Sequence, residues 1–346
     1  MAAAPVHLVG SVPLTTASDV FETISARLGD LVTRIPDGET GGRLGFISWA
    51  NSQIRRAAGV EEDPHHVGPP WLGGKVYKVK EGLTPSQIEF GPHIYADVAL
   101  QSYQDFKRLR EQGKIPASVR FQVSLPTAIG IIFSSTSPAS RPIIWTAYER
   151  HLIGDVEKIL AHIPHNELAI QWDVATEIDR ILEFPDVAAD YSKQALVDSI
   201  ARLCDPITDA VELGFHLCYG DPGHKHIIEP KDMSLMVQLA NMLSRTVRRR
   251  IDWVHMPVPK ERDDDAYFEP LRHLKMESDV ELYLGLVHRT DGIEGATRRI
   301  RTARKFLSTF GVATECGWGR RPPETIPDLI ELHRAVVRVA SNPLPA

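Results

Sequence analysis

Gly214-Phe215-His216-Leu217-Cys218-Tyr219-Gly220-Asp221 reads as a short apolar strand running into a turn. Side chains on a strand alternate between its faces, so His216 and Cys218 project to the same side. An imidazole and a thiolate so placed suit zinc, which favours nitrogen and sulfur donors. Ordinary packing of two core residues would leave the same pattern. Farther along, the run Phe310-Gly311-Val312-Ala313-Thr314-Glu315 ends at Cys316, which offers a third donor. Three protein ligands leave one coordination position open, as in catalytic rather than structural zinc sites.

Working outward from this strand, the same strand-then-helix pattern recurs. Strands are expected over Val6 to Pro13, Leu31 to Ile35, Ser118 to Ser124, Glu167 to Asp173, Gly214 to Cys218, Ile251 to His255, Val280 to Val287 and Gly311 to Glu315. Helical periodicity covers Thr16 to Leu28, with Ser18 as its cap, then Leu44 to Arg56, Ala96 to Glu111 and Trp145 to Ala161. It returns over Tyr191 to Glu212, Pro230 to Ser244, Tyr267 to Leu274, Gly292 to Phe310 and Ile326 to Val339. Such alternation implies parallel strands joined by crossover helices. It fits an α/β fold, a single (β/α)8 TIM barrel domain, with a doubly wound open sheet as the rival. Residues 58–92, rich in Gly, Pro, His and charge, interrupt it as an insertion in the N-terminal half, with a hairpin around Lys75 to Val79. A lid or a subunit contact, as in a homodimer, is the expected use of that excursion.

Composition excludes several classes. The 346 residues are 43% apolar and 24% charged, the values of a globular chain. A net charge of -6 gives no reason to expect nucleic acid or an anionic membrane as partner. No apolar run approaches the roughly 20 residues that span a bilayer, and no secretory signal opens the chain. Three cysteines make a poor disulfide framework, so a reducing cytoplasm is the expected compartment. Cys204, inside a helical pattern, reads as core packing.

In a barrel the active site lies at the C-terminal ends of the strands. Sorted by that criterion, Ser11 ends the first strand and Glu39 follows the second. Gln171 and Asp173 end the fourth, with Glu177 one turn on, and His216 and Cys218 end the fifth. His255, His288 and Cys316 end the sixth, seventh and eighth. Donor residues thus gather at one mouth, which favours His216, Cys218 and Cys316 as a metal site.

These elements, in order Gly10-Ser11-Val12-Pro13, Asp37-Gly38-Glu39, Ser124-Leu125-Pro126-Thr127, Gln171-Trp172-Asp173, His216-Leu217-Cys218-Tyr219 and Glu315-Cys316-Gly317 followed by Arg320-Arg321, resemble a known superfamily. It is the barrel superfamily of cobalamin-independent methionine synthase, uroporphyrinogen decarboxylase and epoxyalkane:coenzyme M transferase. The resemblance runs nearly the whole length and implies a zinc ion on His216, Cys218 and Cys316. Two departures stand out. The synthases carry a glutamate ligand at the end of strand six, where this chain has Asp252-Trp253-Val254-His255-Met256-Pro257. Either His255 replaces it, or zinc has three protein ligands. The family's Asp-Glu-Pro is here Asp173-Val174-Ala175, so a carboxylate of the family's amino-acid pocket is missing, and the resemblance does not carry homocysteine or a folate donor over to this chain.

The implied chemistry is alkyl (methyl) transfer to a small-molecule thiol from an alkyl donor, since a zinc-bound thiol is deprotonated at neutral pH. His288 or His255 is the expected proton donor to the leaving group. Glu39 and Asp173 would bind a polar group of the substrate or orient those histidines. Ser11, Gln171 and Glu177 are further binding candidates, and Arg320 and Arg321 suit an anionic tail. The alternatives are a zinc hydrolase or lyase using the same open position, and a metal-free decarboxylase-like or binding barrel. His65, His66, His224 and His226 are candidates for a second metal site. Arg248-Arg249-Arg250 reads as a solvated turn, and Asp263-Asp264-Asp265 as a helix start.

Overall fold

The computed structural model describes residues 5–69, 73–178, 192–220, 226 and 228–342. Its strands, in chain order, are β1 (Arg34–Pro36), β2 (Val60–Glu62), β3 (Tyr77–Val79), β4 (Arg120–Pro126), β5 (Leu168–Val174), β6 (Glu212–Leu217), β7 (Trp253–Pro257), β8 (Glu281–Gly285) and β9 (Gly311–Val312). β2 and β3 pair antiparallel as a separate ribbon in the 58–92 excursion. The other seven form one parallel sheet in the order β1-β4-β5-β6-β7-β8-β9.

The sheet is curled. On a flat sheet, the five spacings from β1 to β8 would span about 24 Å. Yet Arg34 of β1 bonds Glu281 of β8 at 2.8 Å and Glu212 of β6 at 2.9 Å. Its guanidinium also sits 4.1 Å over the Trp253 ring of β7. The segment before the first helix runs alongside: Val6 bridges Val312 of β9, and Ser11 bridges Gly38 just past β1.

Register sorts the side chains into rows. Asp173, His216, His255 and Tyr283 are successive partners across β5 to β8, and Gln171, Gly214, Trp253 and Glu281 form the row before them. These point inside the curl, where His7 contacts the rings of Trp253, His255 and Tyr283. Residues of opposite parity, such as Trp172, Phe215, Val254 and Leu284, join the large apolar core beneath the helices. A Cβ on Gly214 would lie 1.9 Å from the Trp253 indole, so only glycine admits that ring beside it.

Several expectations shift. The first stretch, expected as a strand over Val6 to Pro13, makes only isolated bridges. Thr16, not Ser18, caps the first helix, in a reciprocal capping box with Asp19. The helix expected from Tyr191 to Glu212 is Lys193–Cys204, because Glu212 opens β6; Tyr191 itself lies outside the described residues. The helix expected to Phe310 stops at Ala303. A short helix, Ala128–Ile132, follows β4 where none was expected. Arg249 is not solvated: it is held by Asp252 at 3.1 Å and by the Thr208 carbonyl. Asp264 does cap its helix, accepting from the Tyr267 amide. Among the described residues no helix is long and apolar enough to cross a membrane.

Candidate metal centre

The curled sheet brings the three expected ligands together: one donor atom each from His216, Cys218 and Cys316 lie within 4.8 Å of one another. His216 is the inward residue near the end of β6. Cys218 continues the alternation one step past the strand, its amide still donating to the Val174 carbonyl of β5 at 2.9 Å. Cys316 lies in the turn after β9 and is the most exposed of the three.

That turn is braced from both sides. The Thr314 hydroxyl donates to the Cys316 carbonyl at 2.7 Å and accepts from the Trp318 indole at 3.0 Å. The Ser11 carbonyl accepts from the Trp318 amide at 2.6 Å, and Ser11 Oγ accepts from the Gly319 amide at 3.1 Å. Gly317 and Gly319 permit the approach, since a Cβ at either would sit 2.2 or 2.7 Å from Ser11 atoms. Ser11, expected to bind substrate, is a brace for the Cys316 turn.

Hydrogen bonding fixes how His216 presents itself. His255 Nε2 lies 3.0 Å from the Thr314 carbonyl, which can only accept, so that nitrogen carries hydrogen. Burial, then the neighbouring His216 and His7, pulls the His255 pKa well down, so the ring is neutral and its Nδ1 is bare. His216 Nδ1 lies 2.7 Å from it and must be the donor. A neutral His216 therefore keeps a bare Nε2, and this buried atom has no hydrogen-bond partner. A metal ligand whose other ring nitrogen is tied down is the usual arrangement. The hydrogen bond from Cys218, helped by the charge of Arg320, holds the Cys316 thiol well below its usual range despite burial. Two sulfurs and one bare imidazole nitrogen are a donor set that zinc fits.

The remaining candidates separate clearly. His255 has both ring nitrogens committed and stands outside the ligand group, so it does not replace the missing glutamate and has no N–H to spare for a leaving group. His288 Nε2 donates to the Val258 carbonyl at 2.8 Å, and its Nδ1 is 3.6 Å from Glu315. Burial, with the charge of Arg299, pulls His288 to about 3. Glu315 also pairs with His226 at 3.2 Å. Burial lowers His226, but Glu315 and Glu229 outweigh it and lift it to about 9.

Glu39, buried, and Asp173, half-buried, are carboxyls close enough to Cys316 to feel its charge. Burial, then the charges of Asp173 and Asp37, pushes Glu39 well above the carboxylate range; burial does the same to Asp173, against its bond from Gln171. Gln171 Nε2 donates to Asp173 at 2.8 Å and to the Val9 carbonyl at 2.6 Å, and its Oε1 accepts from His7 Nε2 at 2.8 Å. Gln171 thus orients Asp173. Glu39 has φ +49°, left-handed for a residue with a side chain, and its amide bonds Asp37 Oδ1 at 2.9 Å. Such strain costs about 1–2 kcal/mol and is typical of functional positions. Gly10 yields space to it, since a Cβ there would meet Glu39 Oε1 at 2.8 Å. Glu177, past the end of β5, accepts from Thr127 Oγ1, and burial lifts it to about 7. Arg320 is exposed and Arg321 half-buried; both act electrostatically on the group, on Cys316 and on His288 respectively.

The sequence gives no role to His7 or Thr314, and His226, expected at a second metal site, instead pairs with Glu315 and Glu229. His7 shares a strand face with Ser11 by simple alternation, which was the available signal. Thr314 carries none. His65, His66 and His226 form no three-ligand group among the described residues, and His224 lies outside them.

No protein-family model matches the chain, and no curated protein matches it. Solved structures do. A B12-independent methionine synthase from Shewanella sp. W3-18-1, solved with selenomethionine, is 13% identical over 98% of both chains with a TM-score of 0.58. A Listeria monocytogenes protein described as a vitamin-B12-independent methionine synthase gives 13% and 0.59 over the same shares. A Methanosarcina mazei methyltransferase gives 11% and 0.53, over 99% of this chain and 94% of its own. At such identities the likeness is one of fold: this chain has the fold of the B12-independent methionine synthase and methyltransferase structures.

Proposed function

We propose that this protein is a zinc-dependent transferase that moves an alkyl group, most simply methyl, onto a small-molecule thiol. The observation that carries the reading is the convergence of a ring nitrogen of His216, whose Nε2 is buried and unpartnered, with the sulfurs of Cys218 and Cys316. The fold it shares with methionine synthase and methyltransferase structures supports the same class. We also read the fold as a closed (β/α)8 barrel, with residues 6–12 as the eighth strand, supported by the bridges to Val312 and Gly38.

Zinc held there would supply one thing: it lowers the pKa of an incoming thiol and keeps the resulting sulfur nucleophilic beside two thiolates. The chain does the rest. His255 holds His216 in the tautomer that faces the sulfurs. Ser11 and Thr314 brace Cys316. Asp173, oriented by Gln171, and Glu39 present carboxyls in which burial favours the protonated form, suited to bind a polar group of the substrate or pass a proton to the departing donor. His288 presents a bare Nδ1 on a ring that burial keeps neutral, and so accepts a hydrogen bond rather than giving a proton. Arg320 and Arg321 offer charge to an anionic tail.

Adding a small thiol to the zinc-loaded protein in weak buffer is expected to release about one proton per zinc. A dye or pH-stat measures this without any alkyl donor. Zinc-loaded protein that takes up no thiol and releases no proton would refute the transferase reading.

A further inference from the structure

Outside the sheet, three more metal-type donors are drawn together. His93 stands at the N-cap of helix Ile94–Glu111, and His151 and Asp155 stand one turn apart on helix Arg141–His162. Residues four apart share a helix face. One donor atom from each lies within 4.8 Å of the others. His93 Nδ1 is 3.4 Å, and His151 Nε2 3.7 Å, from Asp155 Oδ2. Ligand atoms around a divalent ion bound at about 2.1 Å are roughly 3.0–3.4 Å apart.

Three features show that the cluster is built rather than incidental. Asp155 is fully buried; its Oδ1 accepts from the Ala96 amide at 2.9 Å, but its Oδ2 has no hydrogen-bond partner, and neither does His93 Nδ1. A buried carboxylate oxygen held only by long contacts to two imidazoles, at 3.4 and 3.7 Å, is a costly arrangement that an ion shared by the three would relieve. Gln53 Nε2 donates to the Pro92 carbonyl at 3.2 Å, which sets its orientation, and to His151 Nε2 at 2.8 Å, so that this nitrogen is unprotonated. Finally, Gly154 lies inside the helix, where glycine is unfavourable; a Cβ there would sit 2.5 Å from His93 Cε1. The helix gives up a side chain to admit that imidazole.

We propose that His93, His151 and Asp155 form a second divalent-metal site, independent of the cysteine group. Two imidazoles and one carboxylate select first-row ions such as zinc, cobalt or iron over calcium and magnesium. The two rings stack at 13°, so the His93 ring, on a side chain 34% exposed, tilts to bring its lone pair onto the ion. Gln53 then surrenders its contact with His151. The ion ties the start of helix Ile94–Glu111 to the middle of helix Arg141–His162, with coordination positions left open on the His93 side.

Cobalt(II) titration of the metal-free full chain separates the two sites. Wild type is expected to bind two equivalents, one with sulfur-to-metal charge-transfer absorption and one without. Cys218→Ser should keep only the ion lacking that absorption. His93→Ala and Asp155→Asn should each lose that ion and keep the sulfur band, which also shows that the variants are folded. Uptake of a single equivalent by wild type, abolished in Cys218→Ser, overturns the proposal. So do two equivalents that persist in His93→Ala and Asp155→Asn. Failure of the sulfur band alone would count against the cysteine centre and leave this site standing.

Discussion

Cys316→Ser is expected to abolish both tight zinc binding at the cysteine centre and alkyl transfer, while leaving the fold intact. The turn that carries residue 316 is held by backbone and neighbouring side chains: Thr314 to the Cys316 carbonyl, and Ser11 to Trp318 and Gly319. None of these bonds uses the Cys316 sulfur. Serine therefore fits the same space but offers a hydroxyl that stays protonated at neutral pH, where the thiol sits well below its usual range. Loss of an outer partner alone costs about 10–100-fold in metal affinity, so loss of one of three ligands should exceed about 100-fold. Competition against a chelator measures it, with a thermal melt of the metal-free protein as control. An unchanged zinc affinity would remove Cys316 from the site.

The second large effect is expected at a residue that touches no metal. His255→Phe keeps an aromatic ring in a fully buried place but removes the acceptor of the His216 Nδ1–H. The imidazole is then free to move its proton to Nε2 or turn away, and zinc affinity should fall about 10–100-fold. His255→Gln, whose carbonyl can accept that hydrogen, should recover part of the loss. Nitrogen NMR of His216 in the metal-free protein would show the Nδ1–H tautomer in wild type and its loss in His255→Phe. A purely structural role for His255 would lower thermal stability without moving either the tautomer or the affinity.

Much of this centre was legible because strand alternation is a strict rule. His216 and Cys218 share a face whatever the fold, and Cys316 closes an apolar run. What escaped was set by register and by distant approach. His255 stands at a strand end, as a ligand or acid would, and only its pairing opposite His216 makes it the tautomer lock. Ser11 also stands at the mouth, and only the turn beyond Cys316 turns it into a brace. The 191–212 helix was overextended because Glu212 looks like a helix residue until Arg34, from β1, is seen to claim it. His93 and His151 carried no signal, since the first lies in a loop-like stretch and the second on a helix. Their meeting depends on the packing of two helices and the missing side chain of Gly154.

The central claim concerns which atoms surround the ion. Zinc K-edge X-ray absorption of the His93→Ala protein holding one equivalent is expected to show two sulfurs at about 2.3 Å and at least one nitrogen at about 2.0 Å. A first shell of nitrogen and oxygen alone would contradict it.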